Sequence, residues 1–232
     1  MTQLARPDFA RSRAGQGHAH AGLRPRPVPG WAACTALLAP VGLVGGWLLA
    51  GALQPDQYSP MGQTISVLAG QSGTDRWVMT TALVLVGCCQ ILTAAGLGAV
   101  RLPARALLAV TGLSTLGIAA TPEPATGPTW RHLAFAVSCV VTTAVWPLLV
   151  ARRAPPSRIL GVAGCAAVTA LFAGLSCWLL IAAQAGSGNL GMVERLTSGA
   201  QGLFPVVVVL AWRRSAGPSG SGRAGSGLDE GE

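Results

Sequence analysis

Lysine is absent from this 232-residue chain, and charged residues of every kind make up only 10% of it. A soluble globular domain carries about 25% charged residues, so the shortage excludes an ordinary water-facing surface. Six cysteines are present, but no two stand in C-x-x-C spacing, which removes the usual signature of a zinc knuckle or a redox dithiol. All six fall inside apolar stretches rather than in connecting loops, where an oxidising compartment would pair them, and they read as small core hydrophobes. Aromatic residues are scarce, at 5%. No basic stripe interleaved with aromatics exists, so the net charge of +8 points to no nucleic-acid partner. Strict alternation is missing as well. Runs such as Leu83-Val84-Leu85-Val86 and Val206-Val207-Val208-Val209 are the opposite of the dyad pattern a membrane β-barrel requires.

What remains is apolar. Hydrophobic residues are 51% of the chain, gathered in six stretches at residues 31–53, 77–100, 103–120, 132–151, 159–183 and 196–212. Each is long enough, or nearly so, to cross about 30 Å of hydrocarbon at about 1.5 Å per residue. The expected fold is all-α: a polytopic bundle of six transmembrane helices at residues 31–212. Residues 1–30 (Ala, Gly, Arg and Pro-rich) and 213–232 (Gly and Ser-rich) are expected to be disordered tails. His18 and His20 in the first tail have no partners that would make them a metal site, and neither a metal nor a cofactor is expected. The first stretch ends in Ala50-Gly51-Ala52, which resembles a signal-peptide cleavage site. Its apolar run of about 20 residues exceeds the 7–15 of a cleaved signal, so it is expected to stay as a span.

The arginines orient the bundle. Thirteen of the sixteen basic residues lie in the two tails and in the loops after the second and fourth spans. The remaining three, Arg76, Arg131 and Arg195, share the other loops with Asp56, Asp75, Glu123 and Glu194. The positive-inside rule then gives a plasma-membrane protein with both termini in the cytoplasm. Trp31, Trp77, Trp130 and Trp212 sit at the expected helix ends, as an interfacial aromatic belt does. Small residues repeat every four positions at Gly42, Gly46 and Ala50, at Ala134, Ser138 and Thr142, and at Ala166, Ala170 and Gly174. That spacing puts each set on one helical face and suits close helix packing in an intramolecular bundle.

The chemistry-bearing residues collect on the acid-bearing side. In the first outer loop, Ser59-Pro60 reads as a helix start, with the hydroxyl as cap and Pro at the first helical position. Met61, Ile65 and Leu68 would share the apolar face of a short interfacial helix, and Thr74-Asp75 would cap the second span. Tyr58, Ser59, Thr64, Ser66, Asp75, Glu123, Arg131, His132, Glu194, Arg195 and Gln201 make up the candidate outward-facing polar site. On the last span Glu194, Ser198 and Gln201 fall at i, i+4 and i+7, giving a polar face about 10 Å deep. Such residues face a bundle interior or a water-filled cavity. His132, Glu194, Gln201 and Tyr58 are expected to converge there. Helix capping, interfacial anchoring and interhelical hydrogen bonding are the alternative account of the same residues.

Three segments carry a family resemblance: Tyr58-Ser59-Pro60 with Thr64-Ile65-Ser66-Val67-Leu68-Ala69, then Arg131-His132 with Ala134 and Ala136, then Gly191-Met192-Val193-Glu194-Arg195-Leu196. In order and position they resemble a bacterial membrane family catalogued as domain of unknown function 998, over roughly residues 31–212. Position 63 departs from its pattern, with Gln where an acidic residue is expected. The resemblance implies a six-helix membrane protein and no assigned activity. Function is therefore read from the polar residues alone. The first expectation is a non-catalytic protein that binds lipid or another membrane protein. The alternatives are a small-molecule transporter, for which Gln90, Gln201, Pro40, Pro147 and Pro205 are the features inside the spans, and an interfacial enzyme using His132.

Overall fold

The computed structural model describes residues 27–215; the expected tails at residues 1–26 and 216–232 lie outside them. Among the described residues there are seven α-helices and no strand: α1 (Gly30–Ala52), α2 (Ile65–Ala69), α3 (Trp77–Gly96), α4 (Leu102–Ala120), α5 (Trp130–Val150), α6 (Val162–Gln184) and α7 (Leu190–Ser215), with one 3-10 turn at Arg158–Leu160. All but α2 are long and apolar enough to cross a membrane. This is the six-helix membrane bundle the hydropathy requires.

The long helices form a ring in chain order. Each packs mainly on its neighbours in sequence, and α7 closes the ring against α1. Short connections favour this for the later spans, because antiparallel neighbours are the cheapest partners to reach, while the longer link from α1 to α3 holds α2. Small residues set the closest approaches. A Cβ on Gly46 would lie 2.3 Å from that of Ala82 on α3, and Gly87 and Gly112 each bring the other's carbonyl oxygen within 2.8 Å of the position a Cβ would take. On α5, Ser138 and Thr142 face α4 through Ser114 (2.8 Å) and Thr111 (2.9 Å). The stripe of Ala166, Ala170 and Gly174 does not follow the expectation. All three are exposed on the outer face of α6, which contributes Cys165 and Phe172 to the core instead.

Two apolar clusters hold the bundle. At the Arg-rich end Trp146 is fully buried, donates to the Ala104 carbonyl (2.7 Å), and meets Phe204 edge-on at 5.6 Å, with Phe172 edge-on to Phe204 at 6.0 Å. These contacts tie α4, α5, α6 and α7 together. At the other end Ala50, Ile65, Leu68, Met79, Leu83 and Ala119 form a cluster under α2. Exposed leucines and valines along every long helix, such as Leu48, Leu113, Val137 and Ile181, are what a lipid-facing surface presents.

Several boundaries differ from expectation. Ser59-Pro60 starts no helix: residues 60–63 form a turn closed by Gln63 N–H on the Ser59 carbonyl (2.8 Å), and α2 begins at Ile65 with Thr64 as its cap. Met61 is accordingly exposed, while Ile65 and Leu68 are buried. Thr74 and Asp75 do not cap α3. The Gln54 side chain clamps the Thr74 backbone from both sides (2.8 and 3.0 Å), and Asp75 takes a positive φ of 47°. Finally, α7 starts at Leu190, six residues before the expected 196, so Glu194 and Arg195 belong to its first turns. Both find partners there, which removes the cost of extending the helix through charged residues.

Candidate functional site

The site is built around α2, which lies across the acid-bearing end of the ring. Its first N–H has no partner within so short a helix, and Glu194 Oε2 accepts it at 2.5 Å. Thr64 Oγ1 accepts the Val67 N–H at 3.3 Å. From the opposite side, His132 is buried at the start of α5, where Thr129 Oγ1 caps the helix by accepting the His132 N–H. The His132 ring makes two hydrogen bonds. Nδ1 faces the Thr121 carbonyl at 2.8 Å, and Nε2 faces Ser66 Oγ at 3.1 Å. A carbonyl only accepts, so Nδ1 carries a hydrogen, and in the neutral ring Nε2 accepts a hydrogen bond from the Ser66 hydroxyl. Glu194 and His132 thus meet adjacent residues of α2, Ile65 and Ser66, without touching each other.

Arg195 fixes the loop that leads into α2. One guanidinium nitrogen donates to the carbonyls of Pro60 (2.8 Å), Gln63 (2.9 Å) and Gly191 (2.8 Å), and the other to the Tyr58 hydroxyl. Gly191 has no room for a side chain, since a Cβ there would lie 2.1 Å from the Gln63 carbonyl oxygen. Burial raises the Tyr58 phenol above its ordinary pKa against the pull of the Arg195 charge. Tyr58 and Arg195 line an outer groove with Trp47, Gly51 and Gln54, separate from the interior.

Beneath α2 lies an internal cavity of about 100 Å³. Ser66, Gln90, Thr111, Thr115, Thr143, Glu194, Ser198 and Gln201 are its polar lining. Pro40 of α1 and Pro205 of α7 also face it. Neither proline can donate to the carbonyl four residues back, so the carbonyls of Ala36 and Gln201 are released from the helical ladder at mid-bundle. Glu194 is the one acidic or basic side chain among the described lining residues. Thr115 donates to Gln90 Oε1 (3.1 Å), and Gln201 donates from Nε2 to Ser176 (3.2 Å). The lining thus combines one ionisable carboxyl, Glu194, with neutral amide and hydroxyl groups.

Of the eleven expected site residues, Ser66, Glu194 and Gln201 share the cavity. His132 stands behind Ser66, and Thr64 caps α2. Tyr58 and Arg195 form the outer groove, so Tyr58 does not join the pocket of Glu194. Ser59 Oγ accepts only the Gly62 N–H at 3.4 Å. Glu123 is half-buried beside α2, its backbone oxygen accepting the Gln71 N–H at 2.8 Å; burial raises its carboxyl above the ordinary pKa, opposed by His132. Asp75 and Arg131 are exposed and lie apart, Arg131 over the Trp130 ring. The threonines at 111 and 115 were not among the expected residues. Their spacing of four on one helix face was the available signal. Among the described residues no cluster of His, Cys, Asp and Glu is arranged to hold a metal.

A serine hydrogen-bonded to an oriented histidine has the form of a nucleophile and its base. The cavity beside Ser66 is well below the ~300 Å³ at which drug-sized ligand sites begin, so an acyl substrate has no room as the bundle stands. The same hydrogen bonds serve to hold α2 in place.

A family model described as "Protein of unknown function (DUF998)" matches residues 37–213, well over half of the chain. No curated protein and no solved structure matches.

Proposed function

The chain belongs to the DUF998 family of proteins of unknown function, and from that premise we propose that it is a non-catalytic binding protein of the plasma membrane. Its ligand is a small cation or a small molecule rich in hydrogen-bond donors, held in the cavity beneath α2. The observation that carries this is the cavity wall: one ionisable carboxyl, Glu194, among neutral amide and hydroxyl groups. Ionised, Glu194 complements a donor or a positive charge, and the neutral amides and hydroxyls around it can pair with a small ligand's remaining polar groups. A volume of about 100 Å³ suits a hydrated ion or a few-atom amine better than a lipid chain. Lipid and other membrane proteins then surround the bundle rather than fill it. The arginine asymmetry supports cytoplasmic termini, with α2 on the outer face.

A second reading, a permease for the same ligand, is favoured by depth. Gln201 lies seven residues, about 10 Å, further along α7 than Glu194, which brings the polar lining toward mid-membrane. Thermal unfolding of the purified protein in detergent, with sodium, potassium, ammonium or methylammonium chloride at constant ionic strength, tests both readings. One of these cations is expected to raise the melting temperature in a saturable way, as a ligand of the folded state must, and Glu194→Gln or Ser198→Val is expected to abolish the rise. Equal melting temperatures in all four salts would overturn the binding reading. Flux of the stabilising cation into proteoliposomes separates a permease from a binding protein.

A further inference from the structure

The opposite end of the bundle carries a second feature. Arg101 at the start of α4 and Arg152 and Arg153 after α5 converge on an open cleft of about 420 Å³, whose other wall includes Val162, the first residue of α6. The described residues at this end contain no carboxylate; Asp56, Asp75, Glu123 and Glu194 all belong to the other face. We propose that this cleft is a binding site for a phosphate group, supplied by the headgroup of an anionic lipid.

Arg152 is held in place from within. Its Nη2 donates to the Ala99 carbonyl at 2.8 Å and its guanidinium lies over the Trp212 ring at 5.5 Å. Its Nε–H is buried without an acceptor among the described residues. The backbone beside it is pinned by the Arg152 N–H on the Leu160 carbonyl at 3.0 Å, which sets the 3-10 turn and the α6 start against the end of α5. Arg101 and Arg153 are exposed, so their forks are free to turn inward. Burial, and after it the nearby Arg101 charge, lowers the Arg152 pKa. The third element is α6 itself. It starts at the cleft, its cap residue is Gly161, and no side chain accepts its first N–H groups. A 23-residue helix directs the positive end of its dipole and those donors at an anion. Guanidinium forks match phosphate oxygens in pairs, and basic pockets between spans on the inner face are where anionic headgroups seat. Position favours the lipid over free phosphate, because the cleft opens among residues that end the membrane-spanning helices.

The test is lipid retention by the full chain, read by native mass spectrometry from micelles doped with phosphatidylglycerol or phosphatidylcholine, and separately with inorganic phosphate. Phosphatidylglycerol is expected to bind in preference to phosphatidylcholine. Arg101→Gln and Arg153→Gln are each expected to weaken it about fivefold, the usual worth of one basic residue at a membrane surface. Arg214→Gln, which removes an equal charge from the exposed last turn of α7 at the same end, is expected to change it little. Phosphate binding that shows the same variant dependence without any lipid preference would keep the phosphate site and replace its source. Equal losses in Arg214→Gln and Arg153→Gln, or no preference for phosphatidylglycerol and no phosphate binding, would reduce the cleft to diffuse surface charge and overturn the proposal.

Discussion

Glu123 sits between Pro122 and Pro124 in the loop joining α4 to α5, half-buried beside α2. Its backbone is fixed by the Gln71 N–H, so the carboxyl cannot swing far to recover water. Burial raises its pKa, with His132 opposing. A carboxyl whose folded pKa exceeds its unfolded one holds its proton longer in the native state. Stability therefore falls as pH rises from the ordinary glutamate value through the raised one, the reverse of the behaviour of a salt-bridged carboxylate. Glu123→Gln removes that slope. Melting curves in detergent from about pH 4 to pH 8, a span chosen around the reference carboxylate range, are expected to show the wild type losing stability relative to the variant on the alkaline side. A wild type that gains on the variant as pH rises would mean that the His132 contact outweighs burial. Arg195 shows the other residue-scale lesson: its charge is spent on backbone carbonyls of the outer loop, so it organises structure beside the site without entering it.

At the scale of elements, α2 has too few residues to stand alone, since isolated helices shorter than about 12 residues are marginal in water. It persists because Thr64 and Glu194 accept its N–H groups and Ser66 anchors it to His132. Its apolar contacts are Leu68 and Ile65, both buried in the outer cluster. Ile65→Asp is expected to cost at least ~3 kcal/mol, because it loses a buried aliphatic group and introduces a charge beside Glu194. Thr64→Ala, which loses only the cap, is expected to cost about 1 kcal/mol. Denaturant titration in detergent ranks the two, and intact protein is expected to resist cleavage between Met61 and Leu68. Ready cutting there would mean an unpacked loop. The six spans were legible because long apolar runs admit one reading in a membrane. The start of α2 was not. Ser59-Pro60 and Thr64 are both acceptable caps by local rule, and the choice between them is made by a carboxylate 129 positions along the chain. The same long-range pairing lets α7 begin early, at Leu190.

Across the whole molecule, the ring is what turns separate polar residues into a site. Glu194, Ser198 and Gln201 could be placed on one face of a helix from their spacing. That this face meets Ser66, Gln90, Thr111 and Thr115 depends on which helices are neighbours, and no local pattern encodes it. The two ends of the ring also differ in charge. The acid-bearing end is closed by α2 and its loops, while the other end carries Arg101, Arg105, Arg152, Arg153, Arg158, Arg213 and Arg214 among the described residues. Arg213 reaches across to the Val28 carbonyl at 3.0 Å, tying the chain just before α1 to the end of α7. Both ends of the described chain therefore lie on the arginine-rich face, which the orientation proposed above puts in the cytoplasm. Tags inserted at Gly127 and Gly188, where a side chain would meet no neighbour within 4 Å, are expected to be accessible from outside intact cells. Reporters fused after Arg153 or after Ser215 are expected to remain inside. Both fusion sites must report the same compartment, since an even number of crossings separates each from the region before α1. An outside signal from the Arg153 fusion would invert the topology. It would also place the phosphate cleft on the outer leaflet and the Glu194 cavity toward the cytoplasm.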